Sequence, residues 1–315
     1  MPTSIERRDP RPRTPFRWRL LLKTLRFVPQ GAVSRAVGGL ARIPLPRPLR
    51  RPLLGGFARA VGASVEEASR PLQRYRSFDD FFTRRLREGS RSWPSDPDAL
   101  VSPVDGVIGE YGVIEDGRLI QAKGRRYTTA SLLADRESAR VFEGGMFITI
   151  YLSPRHYHRI HTPTAGAVVE ARHVPGRLFP VHPAAVAEVS HLFARNERLL
   201  CTVEGEVGRV AVVAVGAMNV GRISAAFDPE WAGGPDEGVT NRSRARLTSR
   251  SYDPPRPVAR GDELMTFHLG STVVLLTTPG LRLVSGIHQG DEVEVGRILA
   301  RRTATHSPPP LSSRG

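Results

Sequence analysis

FHLGSTVVLL, Phe267–Leu276, changes character halfway along its length. Five of its last six residues, Thr272–Leu276, are β-branched or aliphatic and predict a buried strand. Leu269, Gly270 and Ser271 stand just before them. A glycine at the mouth of such a strand either makes a bulge or leaves its carbonyl open to close approach. The hydroxyl of Ser271 is the nearest group that has a use for that carbonyl.

Outward from this segment, short strand-like runs lie between Gly and Pro turns. They cover residues 107–112, 118–122, 146–152, 166–174, 198–204, 210–216, 272–277 and 292–299. Their spacing predicts a β-rich sandwich or partly closed barrel. Residues 228–262 are polar, rich in Pro, Gly and Arg, and without periodicity, and read as one long loop. Ser77 followed by Phe78, Asp79 and Asp80 reads as a helix cap with acidic residues in the first turn, burying Phe78, Phe81, Phe82 and Leu86.

Helices precede this body, which makes the fold class α+β. Residues 1–15 are Arg/Pro-rich and carry the composition of disorder. Trp18, Leu21, Leu22, Leu25 and Val28 share one helical face, with Arg19, Lys23 and Arg26 opposite. Such a helix either lies in a membrane interface or packs its apolar face on the body. The Pro-rich run Pro44–Pro52 is expected to separate it from a second apolar-basic stretch, LLGGFARAV (53–61). The division expected is a basic amphipathic, membrane-associating segment over 1–60 and a catalytic domain over 61–315.

Charge follows that division. Residues 1–60 hold thirteen arginines and Lys23 against Glu6 and Asp9, a net +12 that leaves only +3 of the chain's +15 for the rest. A basic arm attracts nucleic acid and anionic lipid alike. The nearly neutral body lacks the interleaved basic and aromatic residues of a nucleic-acid binder, so nucleic acid is not the expected partner. Cys201 is the sole cysteine, which rules out an internal disulfide and suits a reducing compartment. The longest uncharged run, Leu264–Leu281, contains His268, four threonines, Gly270 and Pro279, and does not read as a transmembrane helix. Lys23 and Arg26 interrupt the apolar N-terminal patch, so no signal peptide is expected.

Three places carry reactive side chains. Asp105 lies in SPVDG (102–106), which by itself reads as an ordinary Asp-Gly turn. YLSPRHYHRIHTP (151–163) holds His156, His158 and His161. Three close histidines invite zinc, but no acidic residue lies among them and two prolines argue against a ligand-bearing helix. Acid–base work by one or two of them is the better reading. Ser271 is the third. A serine nucleophile needs a base, and the base an orienting carboxylate. Asp105, one of the histidines and Ser271 supply the set, placed to attack the serine's own preceding peptide bond.

Eight segments in order resemble the pyruvoyl-dependent phosphatidylserine decarboxylase family of bacterial and mitochondrial type, from about Arg74 to Leu299. They are FDDFFTRRL, LVSPVDGVIG, IQAKGRRYTTASLL, YLSPRHYHRIHTP, HVPGRLFPV, LFARNERLLC, VAVGAMNVG and FHLGSTVVLL. The resemblance implies that Asp105, His161 and Ser271 form a self-cleavage triad. It implies that the Gly270–Ser271 bond is cut and that His158 serves decarboxylation. Ser271 would become a pyruvoyl group that holds the substrate amine as a Schiff base, with no metal and no external cofactor. The products expected are chains 1–270 and 271–315, acting on phosphatidylserine in an anionic membrane. The protein would then be peripheral, on the cytoplasmic face of a bacterial cell membrane. Members are often dimeric, so a homodimer is one expectation. Two departures stand out: His156 where an aspartate is common, and His268 where a lysine is frequent. Asp228–Asp262 matches poorly, and the first sixty residues share only character. The alternatives are the same chemistry on another phosphoserine lipid, a non-enzymatic basic adaptor, or a zinc hydrolase.

Overall fold

The computed structural model describes residues 28–303, apart from 123–124, 182, 219–221, 232–237, 243–244 and 269–271. The helix expected over 16–28 therefore lies outside the described residues, save Val28. In chain order the elements begin with α1 (Gln30–Arg42), α2 (Arg47–Val61) and α3 (Phe78–Phe82). Then come β1 (Ala99–Val101), β2 (Gly106–Val113), β3 (Arg118–Ala122), β4 (Arg125–Thr128), α4 (Thr129–Leu133) and α5 (Arg136–Arg140). β5 (Met146–Tyr151), β6 (Arg159–His161), β7 (Gly166–Val174), α6 (Pro183–Glu188), α7 (Leu192–Arg195), β8 (Arg198–Gly205) and β9 (Gly208–Val215) follow. The last are β10 (Ile223–Ala225), β11 (Thr248–Val258), β12 (Glu263–Phe267), β13 (Thr272–Thr277), β14 (Leu281–Leu283), β15 (Glu292–Val293) and β16 (Ile298–Arg302).

An eight-stranded antiparallel sheet, β11-β7-β8-β9-β13-β5-β2-β15, forms the centre. Two three-stranded sheets, β10-β12-β6 and β1-β16-β14, contribute Phe267, Ile160, Ile223 and Leu299 to the apolar layer on one of its faces. On the other face the short helices α4, α6 and α7 supply Leu132, Val186 and Phe193 to a second layer. The sandwich expectation therefore holds on one side. The barrel alternative does not, because β11 and β15 each pair on one side only and the sheet stays open.

β13 occupies the middle of the large sheet. Its six residues are all buried, with Val273 and Leu275 in one layer and Val274 and Leu276 in the other. It pairs antiparallel with β5 and with β9, Thr272 standing opposite both Tyr151 and Val215. A strand buried on both faces reads as a continuous apolar run, which is why its sequence was legible.

Three expectations are corrected. Only the start of the Pro-rich run, Pro44–Pro46, separates two helices: α2 starts at Arg47 within the run and continues through Pro52. Pro48 falls in the first turn, where no intrahelical N–H is needed, so only Pro52 forgoes a bond. The supposed loop 228–262 contains β11, an eleven-residue edge strand. A shift of register between Ser251 and Arg256 absorbs Pro254 and Pro255, as an edge position allows. The single strand expected over 292–299 is two, β15 and β16, divided by a turn closed from Arg297 N–H to the Glu294 carbonyl.

Arg198 ties the helical layer to the sheet. Its fully buried guanidinium donates to the carbonyls of Ser131, Leu132, Ala194 and Asn196, at 2.6–2.8 Å. Burial brings its pKa down to about 10. The last carbonyls of α4 and α7 are thus satisfied by one side chain. Arg198→Met is expected to lower stability by about 3 kcal/mol or more, since several buried acceptors lose their donor. Urea unfolding checks this, and a loss under about 1 kcal/mol would show that those carbonyls find other donors.

Candidate active site

Asp105 immediately precedes β2 and is buried. Its carboxylate accepts from Arg91 Nε at 3.1 Å, from Arg91 Nη2 at 2.5 Å and from the Val295 N–H at 2.8 Å. The turn that divides β15 from β16 is what presents the Val295 amide. Arg91 also donates to Glu67 at 2.9 Å. Burial alone would lower the Arg91 pKa, but hydrogen bonds and charge from Asp105 and Glu67 outweigh it and raise the value. A planar fork on a carboxylate fixes Asp105 in one orientation.

His161 closes β6. Its Nδ1 donates to the Gly261 carbonyl at 2.6 Å, and its Nε2 accepts from the Tyr157 hydroxyl at 2.9 Å. A carbonyl only accepts, which places the ring proton on Nδ1. Gly261 has φ +89°, and a Cβ there would lie 2.6 Å from the Trp93 ring. Glycine is therefore required to hold that carbonyl against His161. Burial lowers the His161 pKa below its ordinary 6.5, against smaller opposing effects from Gly261, Glu263 and Asp105. The Tyr157 pKa is raised, mainly by burial, so its hydroxyl keeps its proton for Nε2.

Asp105 and His161 thus belong to one neighbourhood with separate hydrogen-bond partners. Gly261 occupies the position at Nδ1 that a carboxylate fills in a serine–histidine–aspartate relay. Asp105 acts on His161 through space. The cavity at Asp105, about 770 Å³, and that at His161, about 480 Å³, share Arg91, Tyr157 and Val295 in their walls.

His158 is completely buried, 3.9 Å between ring centroids from Phe82. Nδ1 donates to the His156 carbonyl at 2.8 Å, and buried Nε2 has no hydrogen-bond partner among the described residues. Burial first, then the charge of Arg84, hold its pKa well below 6.5. Its backbone carbonyl accepts from Phe267 N–H at 2.9 Å, the last residue of β12. His156 lines the Asp105 cavity, its Nδ1 accepting from the Ser153 N–H at 2.9 Å. The three histidine rings meet different partners and, among the described residues, no group of three His, Cys, Asp or Glu is arranged to hold a metal ion.

Gly270 and Ser271 lie outside the described residues. Their flanks are fixed: His268 N–H donates to the Arg222 carbonyl at 2.9 Å, and Thr272 is paired on both sides. His268 also forms a buried chain. Nδ1 lies 3.1 Å from both Asp79 carboxylate oxygens, and Nε2 lies 3.2 Å from Ser224 Oγ. Burial lowers the His268 pKa and keeps the ring neutral. Arg91, Trp93, Tyr157 and Gly261 were not singled out from sequence. Tyr157 lay between two suspected histidines, whereas nothing local marks Arg91, Trp93 or Gly261.

A family profile described as phosphatidylserine decarboxylase matches residues 78–301. A phosphatidylserine decarboxylase proenzyme of Anaeromyxobacter sp. (strain K) is 45% identical over 282 residues, covering 89% of this chain and 98% of that protein. The proenzyme of Myxococcus xanthus (strain DK1622) is 41% identical over 258 residues, 82% of this chain and 89% of its own length. That of Bordetella petrii is 40% identical over 293 residues, 90% and 98%. The chain belongs to the phosphatidylserine decarboxylase family.

His156, His158, His161 and His268 all have pKa values lowered by burial. The unfolded chain takes up protons on them below pH 6.5, while the folded chain resists. Stability is therefore whole above that value and is lost as pH falls through it, by up to about 1.4 kcal/mol per pH unit for each histidine. Thermal unfolding from pH 7.5 to 5 should show a falling Tm, less steep in His158→Gln. An identical slope in that variant would show that His158 is protonated inside the fold.

Proposed function

We propose that this chain is a proenzyme that cuts itself between Gly270 and Ser271 and then converts phosphatidylserine to phosphatidylethanolamine and CO2. Family membership supports the activity. The observation that carries the site is the pair of histidines, His158 buried and His161 half-buried, both with pKa values lowered by burial and anchored beside the strand that leads to Gly270.

In the first stage His161 Nε2 takes the proton of Ser271 Oγ, either after the Tyr157 hydroxyl swings aside or through it. The Ser271 oxygen attacks the Gly270 carbonyl carbon, whose own residue carries no side chain. The C–N bond breaks, the proton passes from His161 to the amine, and an ester remains. Loss of the Ser271 α-proton expels the Gly270 carboxylate and leaves dehydroalanine. Water then replaces its nitrogen, ammonia departs, and chain 271–315 begins with a pyruvoyl group. Asp105, locked by Arg91, keeps a negative charge near the imidazolium that forms transiently on His161.

A pyruvoyl ketone supplies an amine-binding electrophile and an electron sink for decarboxylation, as pyridoxal phosphate does elsewhere. The described residues suit it. His158 Nε2 is a buried lone pair without a partner among the described residues, joined by its backbone to the residues before the proposed cut. It accepts a proton from the substrate ammonium and returns it to the carbon that has lost CO2. Phe82 and the surrounding core keep water from competing for that proton.

Membrane contact is part of the reading. Leu40, Ile43, Leu49 and Leu53 expose 41–66% of their surface around the α1–α2 connection, among exposed Arg47 and Arg51. Apolar side chains ringed by arginines suit an anionic bilayer, each cation adding roughly 1 kcal/mol near the surface. Among the described residues no helix is long and apolar enough to cross a membrane. A peripheral position on the cytoplasmic face, and a homodimer, belong to the same proposal.

On a denaturing gel the mature protein should give two chains, the smaller of 45 residues (271–315) and without a free amino terminus. Ser271→Ala and His161→Ala should stay whole, and cleavage of Ser271→Ala at the same bond would remove Ser271 as nucleophile. His158→Ala should mature yet turn over about 10²–10⁴-fold more slowly. Full turnover in that variant removes His158 from the chemistry.

A further inference from the structure

A cavity of about 180 Å³ has a function the self-cleavage chemistry does not use. Its lining includes Arg35 and Arg42 from α1, Arg222, Arg242, Asp79 and His268. Four guanidinium groups face one carboxylate among the described lining. Burial would raise the Asp79 pKa, but the His268 hydrogen bond and the charges of Arg222 and Arg42 hold it below its ordinary value. Asp79 is therefore held as a carboxylate, and the described lining sets four arginines against it.

The cationic wall is built rather than draped over the surface. Arg222 is 13% exposed and Asp79 11%, with 3.7 Å between Nη2 and the carboxylate. Gly238 stands against the Arg222 stem, where an added Cβ would lie 2.3 Å from the arginine Cβ. Arg35 and Arg42, seven residues apart, reach the cavity from one face of α1. Leu40 of the same helix is 66% exposed. One helix thus shows apolar surface outward and two cations to the cavity.

We propose that this cavity is the subsite for the phosphodiester of the lipid headgroup. The inference rests on the decarboxylase reading and adds where the substrate's phosphate is held. Guanidinium forks suit tetrahedral oxyanions, and a partly desolvated site strengthens the attraction. Position agrees with size. His268 lies three residues before Ser271, a reach of at most about 10 Å. In a phosphoserine headgroup four covalent bonds separate amine from phosphorus, about 5 Å when extended. A headgroup of that length with its phosphate at the arginines is within the range that the three-residue separation from His268 allows.

The test uses mature full-length protein and short-chain phosphatidylserine below its micelle concentration, so that no bilayer charge enters. Arg35→Gln combined with Arg42→Gln changes two exposed helix positions and leaves Arg222 and Asp79 in place. KM for the monomeric lipid should rise about tenfold or more, the loss expected for charge-assisted bonds, with kcat within about twofold. Inhibition by glycerophosphoethanolamine, which carries the same phosphodiester, should weaken in parallel. Arg282→Gln, an exposed arginine on β14, serves as the charge control and should leave KM alone. An unchanged KM in the double variant overturns the subsite. So does a loss confined to binding of phosphatidylglycerol vesicles, which would assign Arg35 and Arg42 to the membrane surface. Inhibition by inorganic phosphate as strong as by the glycerophosphodiester, with KM unmoved, would mark a free-phosphate site and overturn it too. A wild-type chain that matures but leaves the lipid untouched defeats the parent reading, and this one with it.

Discussion

The hydrogen-bonded seat of β13 is the constraint on which the rest depends. Thr272 is held between Tyr151 and Val215, and every residue after it to Thr277 is buried. A one-residue slip would exchange Val273 and Leu275 with Val274 and Leu276 between the two layers and misfit the packing of both. Fixing the strand fixes where its first backbone nitrogen stands. His158 and His268, tied by backbone hydrogen bonds to Phe267 and Arg222, fix the other side of the same junction. The segment between His268 and Thr272 is thus bounded by packing on both sides.

Electrostatics divides the site into two kinds of group. The histidines are kept neutral by burial, available as bases without carrying charge into a low-dielectric interior. The carboxylates are kept in place by arginines: Asp105 by Arg91, and Asp79 by Arg222 at longer range. Neutral bases beside clamped charges let a proton move with little rearrangement around it.

How much of this could be read in advance depended on whether the signal was local. The strands at 118–122, 166–174 and 272–277 coincide with their sequence readings because β-branched runs between turn residues carry their own signature. β11 was hidden because Pro254, Pro255 and Pro257 normally exclude a strand, and only its edge position admits them. α2 was hidden likewise, since Pro46 and Pro48 mark a helix start only when the following turns are known to form. Among the chemical groups, His158 and His161 advertised themselves by residue type. The partners that define their protonation did not: Gly261 is a hundred residues from His161, and Val295 is 190 from Asp105. Such pairings exist only after the sheets assemble.

The placement of β13 to β16 bears on what a backbone cut would do to the molecule. All four strands lie downstream of residue 270, yet β13 is flanked by β9 and β5, β15 by β2, and β16 by β1 and β14. A severed C-terminal piece would be woven through the larger one rather than appended to it. Releasing it would mean dismantling the central sheet, so the two polypeptides would behave as one cooperative unit.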